Sequence, residues 1–240
     1  MNALLDEADV LPTSGSRGCT AAVVELRYNH DFVEDPATDA ASVFAYRGCI
    51  EFISLKDWLD DLEILLDDCC AGGTATIVTK VPDDGEAKVA WDKINQVYGH
   101  GTMESFKAKP KALALEQISQ DERVLDLLKE ADGRNNTIVV EEGEVDATKA
   151  KLLKQPYSSL TSKLRREKKK WANNFRTKIN DFVYRKGNGK EPQTWPLIRK
   201  VILYGPWQVL KSGAVLVDLP GKCVKYIIIQ FVDDCLYLVH

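Results

Sequence analysis

The sequence predicts an α/β protein whose core strands are separated by a large all-α insertion. Three observations lead there. Apolar, β-branched runs with strand character stand toward the two ends of the chain, at residues 20–28, 197–204 and 214–217. Between them the apolar residues recur mainly at i, i+3, i+4 and i+7, the spacing of amphipathic helices. With 45% hydrophobic residues, a chain of 240 has enough apolar mass for a real core.

Taken in order, "MNALLDEA" has Leu4 and Leu5 already in helical register at Met1, and the turn residues Pro12, Thr13, Ser14 and Gly15 release it. "TAAVVELRY" (20–28) reads as a strand, closed by a loop over 31–39 that contains Pro36. In "SLKDWLDDLEILLDDCC" the stripe Leu55, Trp58, Leu59, Leu62, Leu65, Leu66 and Cys69 marks an amphipathic helix. Asp57, Asp60, Asp61, Asp67 and Asp68 fall largely off that stripe, so the acidic cluster reads as a solvated face rather than a metal site. Further helices are expected over 87–98, 111–118 and 121–131, with one strand at 137–141. A long basic helix is expected over 157–186, with its stripe at Leu160, Leu164, Trp171, Phe175, Ile179, Phe182 and Val183 interrupted at Lys168.

The net charge of −4 conceals an asymmetry. Residues 151–190 hold thirteen Lys/Arg against Glu167 and Asp181, a local +11, so the remainder sums to −15. "KLRREKKKWANNFRTK" is open to two readings: the solvated outer face of a packed helix, or a patch for nucleic acid or another polyanion. The six cysteines lack a framework spacing and no signal peptide precedes them, which predicts reduced thiols and an intracellular protein, nuclear or cytoplasmic. Three histidines and no CxxC make a zinc site a poor expectation, and no run of 18 apolar residues exists to span a membrane.

The most specific signal is "VLVDLPG" at 215–221. A strand ending in Asp218 aims a carboxylate at the end of a sheet where α/β folds bind ligands, and such an Asp can hold Mg²⁺ through water. Gly221 offers a backbone N–H with no side chain in the way, as contact with a phosphate oxygen requires. Upstream, "VLPTSGSRGCTAAVVEL" sets a Ser/Gly/Arg loop before Thr20 at the start of a strand, the arrangement of a switch loop whose Thr closes over Mg²⁺ and phosphate.

These residues carry a resemblance. "IRKVILYGPWQVLKSGAVLVDLPG" resembles the segment of dynamin-superfamily GTPases that delivers Asp-Leu-Pro-Gly. "NALLDEADVLPTSGSRGCTAAVVELRYN" is similar to the stretch after the phosphate-binding loop in large GTPases related to the germinal-centre nuclear GTPase, fungal members among them. The resemblance implies a partial P-loop GTPase core of the dynamin type. Core elements fall at 1–35 and 192–221, a helical insertion at 36–191 with its basic arm at 151–190, and a tail unlike the family at 222–240. Thr20 matches the first-switch threonine, which would close the site and touch Mg²⁺ and GTP; Asp218 matches the metal-sensing aspartate and Gly221 the γ-phosphate-sensing glycine. An intact relative would bind and hydrolyse GTP with Mg²⁺, and homo-oligomers go with such a family.

Two departures stand out. The chain has no GxxxxGK[ST] loop, "GNGKEP" lacking the spacing, the Ser/Thr and the preceding strand, and no T/N-K-x-D motif follows Gly221. The expectation is therefore a piece of such a GTPase that begins after the phosphate loop, leaves the family pattern after Gly221 and hydrolyses no GTP by itself. Gly221-Lys222-Cys223 can be encoded GGT AAG TGT, which contains the start signal of an intron and would explain an unrelated tail. The competing expectation is a non-enzymatic helical module that binds nucleic acid or an acidic partner through its basic arm.

Overall fold

The computed structural model describes residues 22–30, 43–132, 137–153, 155, 159–183, 191–218, 228–230 and 235–236. The helix expected at 1–8, Thr20 and Gly221 lie outside them. The described residues form a mixed α/β structure in two compact units.

The first unit, within 1–50, 138–184 and 200–240, is built on a sheet. Its strands are β1 (Val23–Tyr28), β2 (Val43–Phe52), β3 (Thr137–Val145), β4 (Ile198–Gly205), β5 (Val215–Asp218), β6 (Ile228–Gln230) and β7 (Cys235–Leu236), in the spatial order β3-β2-β4-β1-β5-β6-β7. β1 runs parallel to β4, with Val24 opposite Val201 and Tyr28 opposite Gly205. Parallel neighbours require a crossover, and here the long segment between the two strands supplies it. β1–β5, β5–β6 and β6–β7 are antiparallel, so the sheet is mixed.

The strands expected at the two ends of the chain form as β1, β4 and β5, but the region 36–191 is not all-α. β2 and β3 lie inside it and belong to the sheet. The signal for β2 was alternation: Tyr46, Gly48, Ile50 and Phe52 are buried while Arg47, Cys49 and Glu51 are partly exposed, a period of two. An arginine, a glycine and a glutamate within ten residues obscured it. β3 extends beyond the expected 137–141 to Val145 because Gly143, at φ +77°, takes up a left-handed backbone inside the strand.

Helix α6 (Ser162–Val183) packs on this sheet. It starts later than expected because Thr161 caps it, its hydroxyl accepting from the Leu164 N–H at 3.4 Å. Phe175 stacks on Tyr46 with ring centroids 5.5 Å apart. A Cβ on Gly48 would lie 2.6 Å from Ile179 Cδ1, so the helix comes as close as it does because position 48 has no side chain. Lys168, expected to break the stripe, is 7% exposed and stands on the buried side of the helix with Ala172, Phe175 and Ile179. The short helix α5 (Ala147–Leu153) precedes it and contributes Ala150 and Leu153 to the core.

The second unit, within 51–137 and 185–199, is helical. Its helices are α1 (Leu55–Asp68), α2 (Gly85–Tyr98), α3 (Lys111–Ile118) and α4 (Glu122–Asp132). Ser54 caps α1, its hydroxyl accepting from the Asp57 N–H at 3.0 Å. The expected stripe is the buried one: Trp58, Leu62, Leu66 and Cys69 are fully buried. They join Ile77, Trp91, Ile94, Met103, Phe106 and Ile118, or pack beside them, each large side chain adding about 1.5–3 kcal/mol by leaving water. Trp58 Nε1–H donates to Tyr98 Oη at 2.8 Å, so the largest buried ring of α1 keeps its polar edge satisfied.

Candidate functional site

The site that the sequence singles out is carried by β1 and β5. β5 leaves the core through buried Leu216 and ends on Asp218, which is half-buried at the strand's C-terminal end. Because β1 and β5 are antiparallel, the end of one meets the start of the other. Val24 is opposite Asp218, Glu25 opposite Val217 and Leu26 opposite Leu216. Val24, Leu26 and Leu216 form an apolar floor, at most 3% exposed, that fixes the register: a one-residue slip would turn these side chains to the other face. Among the expected site residues, the described structure thus contains Asp218 alone, with Thr20 and Gly221 outside it.

Among the described residues no group of three or more His, Cys, Asp or Glu side chains is arranged to hold a metal ion. Asp218 offers one carboxylate at the end of β5, and Mg²⁺ in general takes one or two protein carboxylates and fills its octahedron with water and substrate phosphates. Cys49, Cys69 and Cys70 form no disulfide among the described residues, and burial, reinforced by Asp68 and Cys70, pushes the Cys69 thiol up to about 12, away from thiolate reactivity. Among the described residues no helix is long and apolar enough to cross a membrane.

A second feature is the outer side of α6. The buried residues Lys168, Ala172, Phe175, Ile179 and Val183 define one side of this helix. Directly opposite, Lys163, Arg166, Lys170, Asn173 and Thr177 follow one another at alternating steps of three and four, in one row along the axis. Arg166 Nε–H donates to the Ser162 carbonyl at 3.3 Å and the Thr177 hydroxyl to the Asn173 carbonyl at 2.9 Å, while the side chains of Lys163, Lys170 and Asn173 make no hydrogen bond among the described residues. The carboxylates beside the helix are already engaged. Glu142 accepts from Lys178 at 2.6 Å and from Asn174 at 3.3 Å, and Glu167 pairs with Lys149 at 2.8 Å. Lys149 also sits 4.9 Å from the centre of the half-buried Trp171 ring.

No family model matches the chain. In an alignment 230 positions long that covers 92% of the chain, it is 26% identical to the mouse (Mus musculus) protein named nuclear GTPase SLIP-GC. The matched part is 22% of that protein, so the chain spans about a fifth of the length of the curated relative. The likeness is that of a distant relation to a GTPase.

Proposed function

We propose that this chain carries the nucleotide-sensing elements of a GTPase-like domain of the dynamin type. The observation that carries the reading is the antiparallel pairing of β1 with β5. It sets the start of the strand that follows Thr20 by three residues beside the strand that ends on Asp218, and two sensors of one phosphate need such adjacency. The distant likeness to a nuclear GTPase over nearly the whole chain supports the same reading. The free thiols suit the reducing conditions of an intracellular protein.

In this reading Asp218 and Thr20 would hold Mg²⁺ and the Gly221 N–H would donate to a γ-phosphate oxygen of GTP. Bound Mg²⁺ would neutralise negative charge on the phosphates. The chain's own residues position and sense; its sequence has no GxxxxGK[ST] to cradle the β-phosphate. The 240-residue chain should therefore hydrolyse GTP no faster than its Asp218→Ala variant. Joined to the relative's phosphate-loop and guanine-reading segments, it should bind a fluorescent GTP analogue in a Mg²⁺-dependent manner, in preference to the ATP analogue. Asp218→Ala should weaken that binding at least about tenfold, equivalent to one lost charge-assisted contact. Binding that ignores Mg²⁺, the base or the Asp218 substitution would overturn the reading.

A further inference from the structure

The outer row of α6 has a composition and geometry that the nucleotide-sensing reading does not use. Four cations, Lys163, Arg166, Lys169 and Lys170, stand on the solvent side of its N-terminal half, with Asn173 and Thr177 continuing the row. Lys169 and Lys170 make no ion pair with a carboxylate among the described residues, and Lys163 acts through space on Glu167, which Lys149 already pairs, while Glu142 is taken by Lys178. Such a row keeps a positive field that counter-ions alone must answer.

We infer that this face docks on the phosphate backbone of double-stranded DNA. The cations from 163 to 170 cover about 10 Å of helix axis at 1.5 Å per residue, about three phosphate spacings on one strand and hence the reach of about four successive phosphates. Beyond them the Asn173 side-chain amide suits a further phosphate or sugar oxygen. A membrane surface fits poorly, because a helix that lies in a bilayer interface exposes large apolar residues beside its cations. Here Phe175, Ile179 and Val183 are buried in the sheet unit and Leu164, Trp171 and Phe182 are half-buried. Single strands fit poorly for the same reason, since bases stack on exposed aromatic rings. B-form DNA opens a groove about 12 Å wide that admits the ridge of a helix, whereas the A-form groove of duplex RNA is too narrow. The row is mostly lysine, with Arg166 its one arginine and that Nε–H already given to the Ser162 carbonyl, so the contact we infer is to backbone and indifferent to base sequence.

The test uses the full chain without nucleotide and a labelled 20-base-pair mixed-sequence DNA duplex, read by fluorescence anisotropy. It is independent of the GTPase reading, which fails or stands on GTP and Mg²⁺. Four phosphate contacts predict a slope of log affinity on log salt near −3.6, and hence an affinity about 150-fold lower at 200 mM than at 50 mM salt. Lys169→Gln with Lys170→Gln should bind more weakly at 50 mM, with a slope near −1.8 and a loss of only about 12-fold over the same range. A control pair of exposed lysines in the helical unit, Lys80→Gln with Lys129→Gln, should leave both quantities unchanged, and thermal melting checks that every variant is folded. The inference is overturned by no binding at 50 mM salt, by an unchanged slope in the Lys169/Lys170 variant or by an equal loss in the control. Equal or tighter binding to duplex RNA, to single-stranded DNA or to vesicles rich in phosphatidylserine would overturn it as well.

Discussion

Helices α1 and α6 are built on the same plan and charged with opposite sign. Each buries one apolar side and shows a crowded charged side to water, yet the two charged sides are not equivalent. On α1 the acids other than Asp68 are answered locally: Asp57 by Arg199 at 3.5 Å, Asp60 by Lys56 at 3.0 Å and Asp61 by Lys93 at 3.7 Å. Lys111 bridges Glu63 at 3.4 Å and Asp67 at 2.7 Å. On α6 the carboxylates within reach are consumed by Lys149 and Lys178, and the outward row is left with water. A charge run that its own neighbours neutralise is a solubilising surface. One that they leave open is a candidate for a partner, and only the packing of surrounding elements separates the two.

If the apolar sides hold both helices and the charges do not, truncating the anchors has the largest effect. Phe175→Ala on α6 and Trp58→Ala on α1 should each cost about 3–5 kcal/mol in urea unfolding. A loss below about 1 kcal/mol for either would mean that the ring is not the anchor. Next come the close approaches. Gly205→Ala would set a Cβ 2.5 Å from a ring carbon of buried Trp207, and overpacking against a rigid indole should cost about 1–3 kcal/mol in the same assay.

Tyr98→Phe removes the acceptor of the Trp58 N–H and should cost about 1–2 kcal/mol near neutral pH. Burial, opposed in part by the Trp58 hydrogen bond, raises Tyr98 from 10.0 to about 12. The unfolded chain then loses this proton first as pH rises. The contribution is complete below about 10 and is lost toward 12, so an alkaline stability profile should fall less steeply over that window in Tyr98→Phe. An unchanged profile would place the phenol in water.

The charges themselves give the smallest effects, and they sharpen the comparison. Lys168→Gln, within the buried side of α6, should cost about 1 kcal/mol through lost stem packing, whereas Lys169→Gln with Lys170→Gln should stay within about 0.5 kcal/mol of the parent. Asp67→Asn on α1 breaks one of the two bonds that Lys111 makes and should also change stability by no more than about 0.5 kcal/mol, the scale of exposed ion pairs. Thermal melts of the three variants decide this, and a large loss for Asp67→Asn would make the α1 network structural after all.

The sequence by itself determined the helices, because their stripes are local: Trp58, Leu62, Leu66 and Cys69 lie on one side of any α-helix drawn through them, and Lys111–Ile118 forms with the bounds expected. It also determined β1, β4 and β5 and singled out Asp218, because a short apolar run ending in Asp-Leu-Pro-Gly needs no distant residue to be seen. Tertiary structure alone decided the rest. β2 became a strand because Tyr46 and Gly48 meet Phe175 and Ile179, more than 120 residues away, and no window of ten residues contains that partner. Lys168 went inside because its turn of α6 faces the sheet, although its charge argued for water. The antiparallel register that sets Val24 beside Asp218 likewise joins positions far apart in the chain. Backbone hydrogen bonds between strands are satisfied only when the fold has brought the strands together, so pairing, unlike helical period, is not written in any local stretch.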